Sequence, residues 1–145
     1  VKSNADRKKH MADKVIKACG GDVQGKKLAI LGLTFKPNTD DMRDAPSLDI
    51  IPALQKEGAI ISAFDPEGIE EAKKHFTNVD FKSGPYEAVD GADALVIITE
   101  WDQFRALDLD RVNKLLKNPI VVDLRNIYDP KAMHDSGFEY SSIGR

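Results

Sequence analysis

The sequence predicts an α/β fold in which a doubly wound, mainly parallel six-stranded sheet is preceded by one long helix. Three observations carry that prediction. Short apolar runs alternate with helix-like stretches from Lys27 to Ser141, and such alternation requires parallel crossovers. The runs Leu28 to Leu33 and Ala94 to Thr99 are almost uniformly apolar, as expected of strands covered on both faces. Gly, Pro or Asp opens or closes each later helix, which sets the boundaries.

Taken in order, Lys2 to Cys19 is rich in helix formers, places Met11, Val15 and Ile16 at i, i+4 and i+5, and stops at Gly20-Gly21. So narrow an apolar stripe suits a helix that packs on a partner or continues from another domain. The expected division is therefore 1–24, the end of an inter-domain helix with its linker, and 25–145, the sheet domain. Strands are predicted at Lys27 to Leu31, Ala59 to Phe64, Val79 to Phe81, Ala94 to Thr99, Ile120 to Asp123 and Phe138 to Ser141. AIISAF and ALVIIT should be central among them. Helices are predicted at Ser47 to Glu57, Glu67 to His75, Pro85 to Val89, Leu107 to Leu116 and Pro130 to Asp135. Pro52 inside the first of these removes a backbone bond at a cost of ~3 kcal/mol, so a displaced start or a kink is expected.

Composition narrows the partners. At 145 residues and 41% hydrophobic content the chain is sized for one domain with its own core. A net charge of -3 and a pI near 5.6 argue against nucleic-acid binding, which normally shows as a basic excess. Any anionic partner should then be small. The single cysteine, Cys19, can form no internal disulfide, and neither a secretory leader nor a membrane-length apolar run appears. Together these favour a reducing compartment, most simply the cytoplasm, and no membrane partner. The start at Val1, directly in a polar helix-like stretch, is what a piece cut from a longer protein would show.

The segment LAILGLTFKPNTDDMRDAPS, from Leu28 to Ser47, is the most informative. An apolar strand runs there into a long polar loop holding two isolated cations, Lys36 and Arg43. In open parallel sheets, ligands bind at the carboxyl ends of strands. Three further loops leave such ends with Asp65-Pro66, with Thr99, Glu100 and Trp101, and with Asp123, Arg125 and Asn126. Cations beside aromatic, hydroxyl and amide groups suit a nucleotide diphosphate.

Each of these residues also has a simpler role open to it. Lys36 and Arg43 can be neutralised by Asp40, Asp41 and Asp44 in a solvated loop. Trp101 and Phe104 can be core. Asp65 can hold a ribose or merely end a strand, and Arg125 can pair with Asp123 or Asp129. The turn Gly32-Leu33-Thr34-Phe35-Lys36 lacks the glycine pattern for close pyrophosphate approach, and no Walker sequence occurs. His10, His75 and His134 have no ligand-spaced neighbours, so no metal is expected. Cys19 reads as a structural thiol. These residues assemble no catalytic constellation.

The blocks GLTFKPNTDDMRDAPS, AFDP, ITEWDQF, VVDLRN and YSSIGR, in this order from about Gly25 to Arg145, resemble the carboxyl-terminal domain of the UDP-glucose 6-dehydrogenase family, which includes the UDP-sugar and GDP-mannose dehydrogenases. The resemblance implies a Rossmann-like fold and a two-step oxidation of a sugar's primary alcohol to a carboxylate, UDP-glucose to UDP-glucuronate, with two NAD. It implies that the catalytic cysteine and the main NAD-binding domain lie outside this chain, so that the piece alone is inactive. Residues 1–19 resemble the end of the helix that joins the halves of such enzymes and carries a homodimer contact. Phe35 and Lys36 match positions that contact the UDP-sugar, Arg125 matches the arginine that holds the nucleotide portion, and Arg43 matches an arginine that reaches toward NAD. Leu124 stands where a glycine is frequent in the family. Alternatives are a UDP-N-acetylmannosamine or GDP-mannose dehydrogenase domain, and a stand-alone nucleotide-binding module without chemistry.

Overall fold

The computed structural model describes residues 4–143. The expected first helical residues, Lys2 and Ser3, and the last two residues of the YSSIGR block lie outside them. Helix α1 (Asn4–Ala18) leads into β1 (Lys27–Leu31), α2 (Ser47–Lys56), β2 (Ile60–Phe64), α3 (Ile69–Ala72), β3 (Val79–Phe81) and α4 (Pro85–Val89). There follow β4 (Ala94–Ile97), α5 (Asp102–Arg105), α6 (Leu109–Leu115), β5 (Ile120–Asp123), α7 (Pro130–Asp135) and β6 (Glu139–Ser142). The six strands form one sheet in the order β3-β2-β1-β4-β5-β6, and every pairing is parallel. The chain winds outward from β1 to one edge, returns to β4, and winds outward to the other. The reversal falls between β1 and β4, whose carboxyl ends flank the crevice where ligands bind in such sheets.

Strand periodicity explains the two-sided core. Leu28 and Ile30 of β1, Ala94 and Val96 of β4 and Val122 of β5 face the layer holding α1 and α2, where Val15, Ile50, Ile51 and Leu54 are fully buried. Ala29, Leu31, Leu95, Ile97 and Val121 face the other layer, where Phe104, Val112 and Met133 are fully buried. Each such Leu, Ile or Phe contributes about 1.5–3 kcal/mol by leaving water. The Phe64 and Phe104 rings meet edge to face at 6.3 Å and 70°, joining β2 to α5. Ala12 and Val15 of α1 and Cys19 just past its end are buried, while Met11 and Ile16 pack beside them. The buried face is thus wider than its large residues suggest, because a small residue belongs to it and a thiol extends it.

Several boundaries differ from expectation. The start of α2 is not displaced, since the Pro46 carbonyl accepts from the Asp49 and Ile50 amides at 3.1 and 3.0 Å. Helix continues through Pro52, which lies on the exposed face. Regular helix after β2 is confined to four residues, Ile69–Ala72. Helix α6 begins two residues later than predicted because Asp108 caps it, accepting from the Asp110 and Arg111 amides at 3.1 and 3.3 Å. The short α5 is not in the prediction. Among the described residues, no helix is long and apolar enough to cross a membrane, and no group of His, Cys, Asp and Glu is arranged to hold a metal.

Candidate functional site

The site begins where β1 meets β4. Gly32 follows β1 at φ 95°, and a Cβ on it would stand 2.5 Å from the Thr99 amide nitrogen and 2.6 Å from its Cβ. The Thr99 hydroxyl donates to the Thr34 carbonyl at 2.7 Å. The two strand ends are therefore in contact, and the loop after β1 leaves over the end of β4. The loop returns to α2 through Ser47, whose hydroxyl donates to the Leu33 carbonyl at 2.6 Å, and through the Phe35 amide, which donates to the Asp41 carbonyl at 2.9 Å.

Two buried carboxylates hold the loops on either side. Asp65, which follows β2, is 1% exposed. Its Oδ2 accepts from the Leu33 and Thr34 amides at 2.7 and 3.2 Å, and its Oδ1 from the Glu67 and Gly68 amides at 2.9 and 2.7 Å. The Thr34 hydroxyl lies 3.2 Å from Oδ2 and 3.0 Å from the Lys36 carbonyl, either of which can accept its proton. Asp123 ends β5 in the same manner and is fully buried. Its Oδ1 accepts from the Arg125 amide at 3.1 Å, and its Oδ2 from the Ile127 and Tyr128 amides at 2.8 and 3.0 Å and from the Tyr140 hydroxyl at 2.6 Å. With four backbone amides on its two oxygens, Asp65 has little capacity left for a ribose. Asp65 is a clamp between two loops.

The three cations of this edge fare differently. Arg43, with its side chain 89% exposed, donates to Asp41 through Nε and Nη2 at 3.1 Å each. This pairing and the Arg43 backbone bond hold the Asp41 carboxyl below the usual carboxylate range, and Asp41 in turn raises Arg43. Arg43 is thus paired within its own loop, in contact with solvent. Arg125 pairs with neither Asp123 nor Asp129 through its side chain; its Nε donates to Glu100 Oε2 at 2.9 Å and its Nη2 to the same oxygen. Lys36 is exposed, and among the described residues no carboxylate forms an ion pair with it. Beside it Phe35 is 47% exposed, one of only two large apolar side chains so placed among the described residues, the other being Ile60 at the opposite end of the sheet.

Trp101 and Phe104 are buried in the core, although Trp101 also lines a hollow of about 390 Å³ with Asn38, Thr39, Asp40 and Glu67. A second hollow, of about 640 Å³, is lined by Thr39 to Arg43, Leu48, Glu71 and His75. Phe35, Lys36 and Arg125 stand outside both. The clamping by Asp65 and Asp123, the Glu100 partner of Arg125 and the Ile143 partner of Asn126 were not anticipated from sequence. The Asn126 amide exchanges two hydrogen bonds with the Ile143 backbone, at 2.9 and 3.0 Å, tying the loop after β5 to the end of β6. An Asp that ends an apolar strand before a turn is the available signal for such clamps; Glu100 and Arg125 are 25 residues apart and leave none.

A parallel sheet of this winding, with basic and aromatic side chains at its switch-point rim, defines a nucleotide-binding α/β domain of the Rossmann type. Residues 29–130 match the UDP binding domain of the UDP-glucose/GDP-mannose dehydrogenase family. The chain belongs to that family. Over 145 residues it is 55% identical to the UDP-glucose 6-dehydrogenase of Rhizobium meliloti (strain 1021), covering 100% of itself and 33% of that protein. The chain thus spans about a third of the length of the curated relatives it matches. Among solved structures, an NDP-N-acetyl-D-galactosaminuronic acid dehydrogenase from Methanosarcina mazei Go1 superposes with a TM-score of 0.80 at 27% identity, over 97% of this chain and 29% of that one. A UDP-glucose dehydrogenase from Pyrobaculum islandicum gives 0.74 at 26% identity, over 94% and 29%.

Proposed function

We propose that this chain is the nucleotide-sugar-binding carboxyl-terminal domain of an NAD-dependent UDP-glucose 6-dehydrogenase, a soluble cytoplasmic enzyme that works as a homodimer in making sugar acids for polysaccharides. The division into 1–24, a linking helix, and 25–145, the binding domain, belongs to this reading. Lys36 is the observation that carries it: its ammonium lacks a carboxylate partner among the described residues, at the rim where this fold receives ligands. In this role Lys36 meets a diphosphate oxygen, the exposed Phe35 ring lies against the sugar or base, and Arg125 binds the nucleotide portion. The choice of UDP-glucose over other nucleotide sugars rests on the name of the relative that is 55% identical.

NAD would supply the hydride acceptor for the alcohol oxidation. The carboxylate placed for a ribose, Asp65, is occupied by backbone amides, so among the described residues it is not free to hold a dinucleotide. Arg43, at the exposed rim, can reach a dinucleotide held by another domain. What this chain contributes is to bind the nucleotide end of the substrate and so fix where its sugar projects. The test is calorimetric titration of the chain with UDP and with UDP-glucose. Saturable heats for both are expected; no heat from either at millimolar ligand overturns the reading.

A further inference from the structure

The guanidinium of Arg125 is not held by the carboxylates nearest to it in sequence. Asp123 uses its Oδ2 on two backbone amides and the Tyr140 hydroxyl, and Asp129 caps α7 by accepting from the Ala132 amide at 2.9 Å. Arg125 reaches instead to the loop after β4, where Glu100 Oε2 accepts from both Nε and Nη2. The two side chains are 35% and 24% exposed, so the pair is shielded more than the Arg43–Asp41 pair at the rim. A guanidinium carries five N–H donors. Glu100 occupies the side edge, made by Nε and one N–H of Nη2. Among the described residues nothing else bonds to Nη1 or to the second N–H of Nη2, and one N–H from each of these two nitrogens forms the end-on fork that matches two phosphate oxygens.

We propose that Glu100 is a positioning and specificity-determining residue for nucleotide binding: it grips the side edge of Arg125 and so presents the end-on fork to a diphosphate. The inference rests on the reading of Arg125 as a nucleotide-holding residue. It also places the carboxylate of Glu100 next to the bound phosphates. Esterification by a sugar removes one ionisable oxygen from a nucleoside diphosphate, so the nucleotide sugar carries one negative charge fewer at neutral pH. Repulsion by Glu100 therefore weighs more on the free diphosphate, and the site favours the esterified ligand.

The experiment measures affinities for UDP and UDP-glucose by calorimetry in the wild-type chain, Glu100→Gln, Glu100→Ala and Arg125→Ala. Glu100→Gln retains an acceptor for the guanidinium but loses the charge, so UDP affinity should rise against UDP-glucose affinity by roughly fivefold. Glu100→Ala removes the grip together with the charge, so both ligands should weaken, UDP-glucose by about tenfold and UDP by less. An unchanged ratio in Glu100→Gln, or unchanged affinities in Glu100→Ala, overturns the role of Glu100 while leaving Arg125 in place. Should Glu100→Ala fail to fold, the Glu100→Gln ratio still decides. Arg125→Ala binding both ligands as the wild type does, or a wild-type chain that binds neither, overturns the underlying reading of Arg125 and this inference with it.

Discussion

Thr99 and Thr34 are joined by a single 2.7 Å hydrogen bond, from the hydroxyl of one to the carbonyl of the other, across the point where the sheet reverses its winding. Both residues are fully buried. The bond fixes the path of the Lys36 loop at its origin, and the close approach it needs is possible because residue 32 carries no side chain.

Gly32→Ala should be strongly destabilising. The added Cβ would meet Thr99 at 2.5–2.8 Å, and φ stays at 95° unless the loop is rebuilt. Strain and overlap together should cost about 2–4 kcal/mol. Denaturant unfolding monitored at the single tryptophan measures this, and an unchanged midpoint would contradict the packing described.

Lys36→Ala should leave folding untouched, because the side chain is exposed and unpaired among the described residues. Losing one charge-assisted bond of ~1.5–3 kcal/mol should weaken UDP binding roughly ten- to a hundredfold. Calorimetry decides the matter, with Lys36→Arg expected to retain much of the affinity.

Arg43→Ala, assayed in the whole enzyme, should raise the KM for NAD more than that for the UDP-sugar. Steady-state constants that move only for the sugar would contradict the assignment. In the chain itself, removing Arg43 should return the Asp41 carboxyl toward its ordinary pKa, because Arg43 is what lowers it. The sign follows from linkage: a depressed carboxyl stabilises above its unfolded pKa, and that stabilisation disappears as pH falls through the folded value. A carbon-detected NMR titration of Asp41 in both proteins should therefore show the wild-type midpoint at the lower pH.

Tyr128 should not ionise in the folded chain at the pH of an ordinary phenol. Burial, aided by the nearby Asp123 charge, raises its pKa, and its hydroxyl donates to the Phe104 carbonyl. The unfolded state loses this proton first as pH rises, so stability is complete below about pH 10 and declines above it. Ultraviolet titration should show a late-ionising phenol that Tyr128→Phe removes. That variant leaves the Phe104 carbonyl with only the longer 3.4 Å bond from the Leu107 amide and should cost ~1–3 kcal/mol.

Much of the fold was legible because strands buried on both faces are nearly pure apolar runs. AIISAF and ALVIIT lie inside the sheet as expected, the second beside β1 at its centre. Helix ends were less legible where a cap outranked periodicity, as Asp108 does for α6. At the rim, sequence could place Lys36, Arg43, Asp65 and Arg125 at strand ends, because the chain path alone decides that. It could not assign their partners. Whether Arg125 turns to Asp123 or to Glu100 depends on how backbone amides have already used each carboxylate, a competition set by tertiary geometry.

Asp65 and Asp123 sit at mirrored places, at the carboxyl ends of the second strands in from either edge of the sheet. Each holds the backbone at the start of its own outgoing loop before any ligand arrives. Encounter with an anion then requires little rearrangement of these backbones. Association should be quick, with a heat-capacity change set by the buried ligand surface and not by coupled folding.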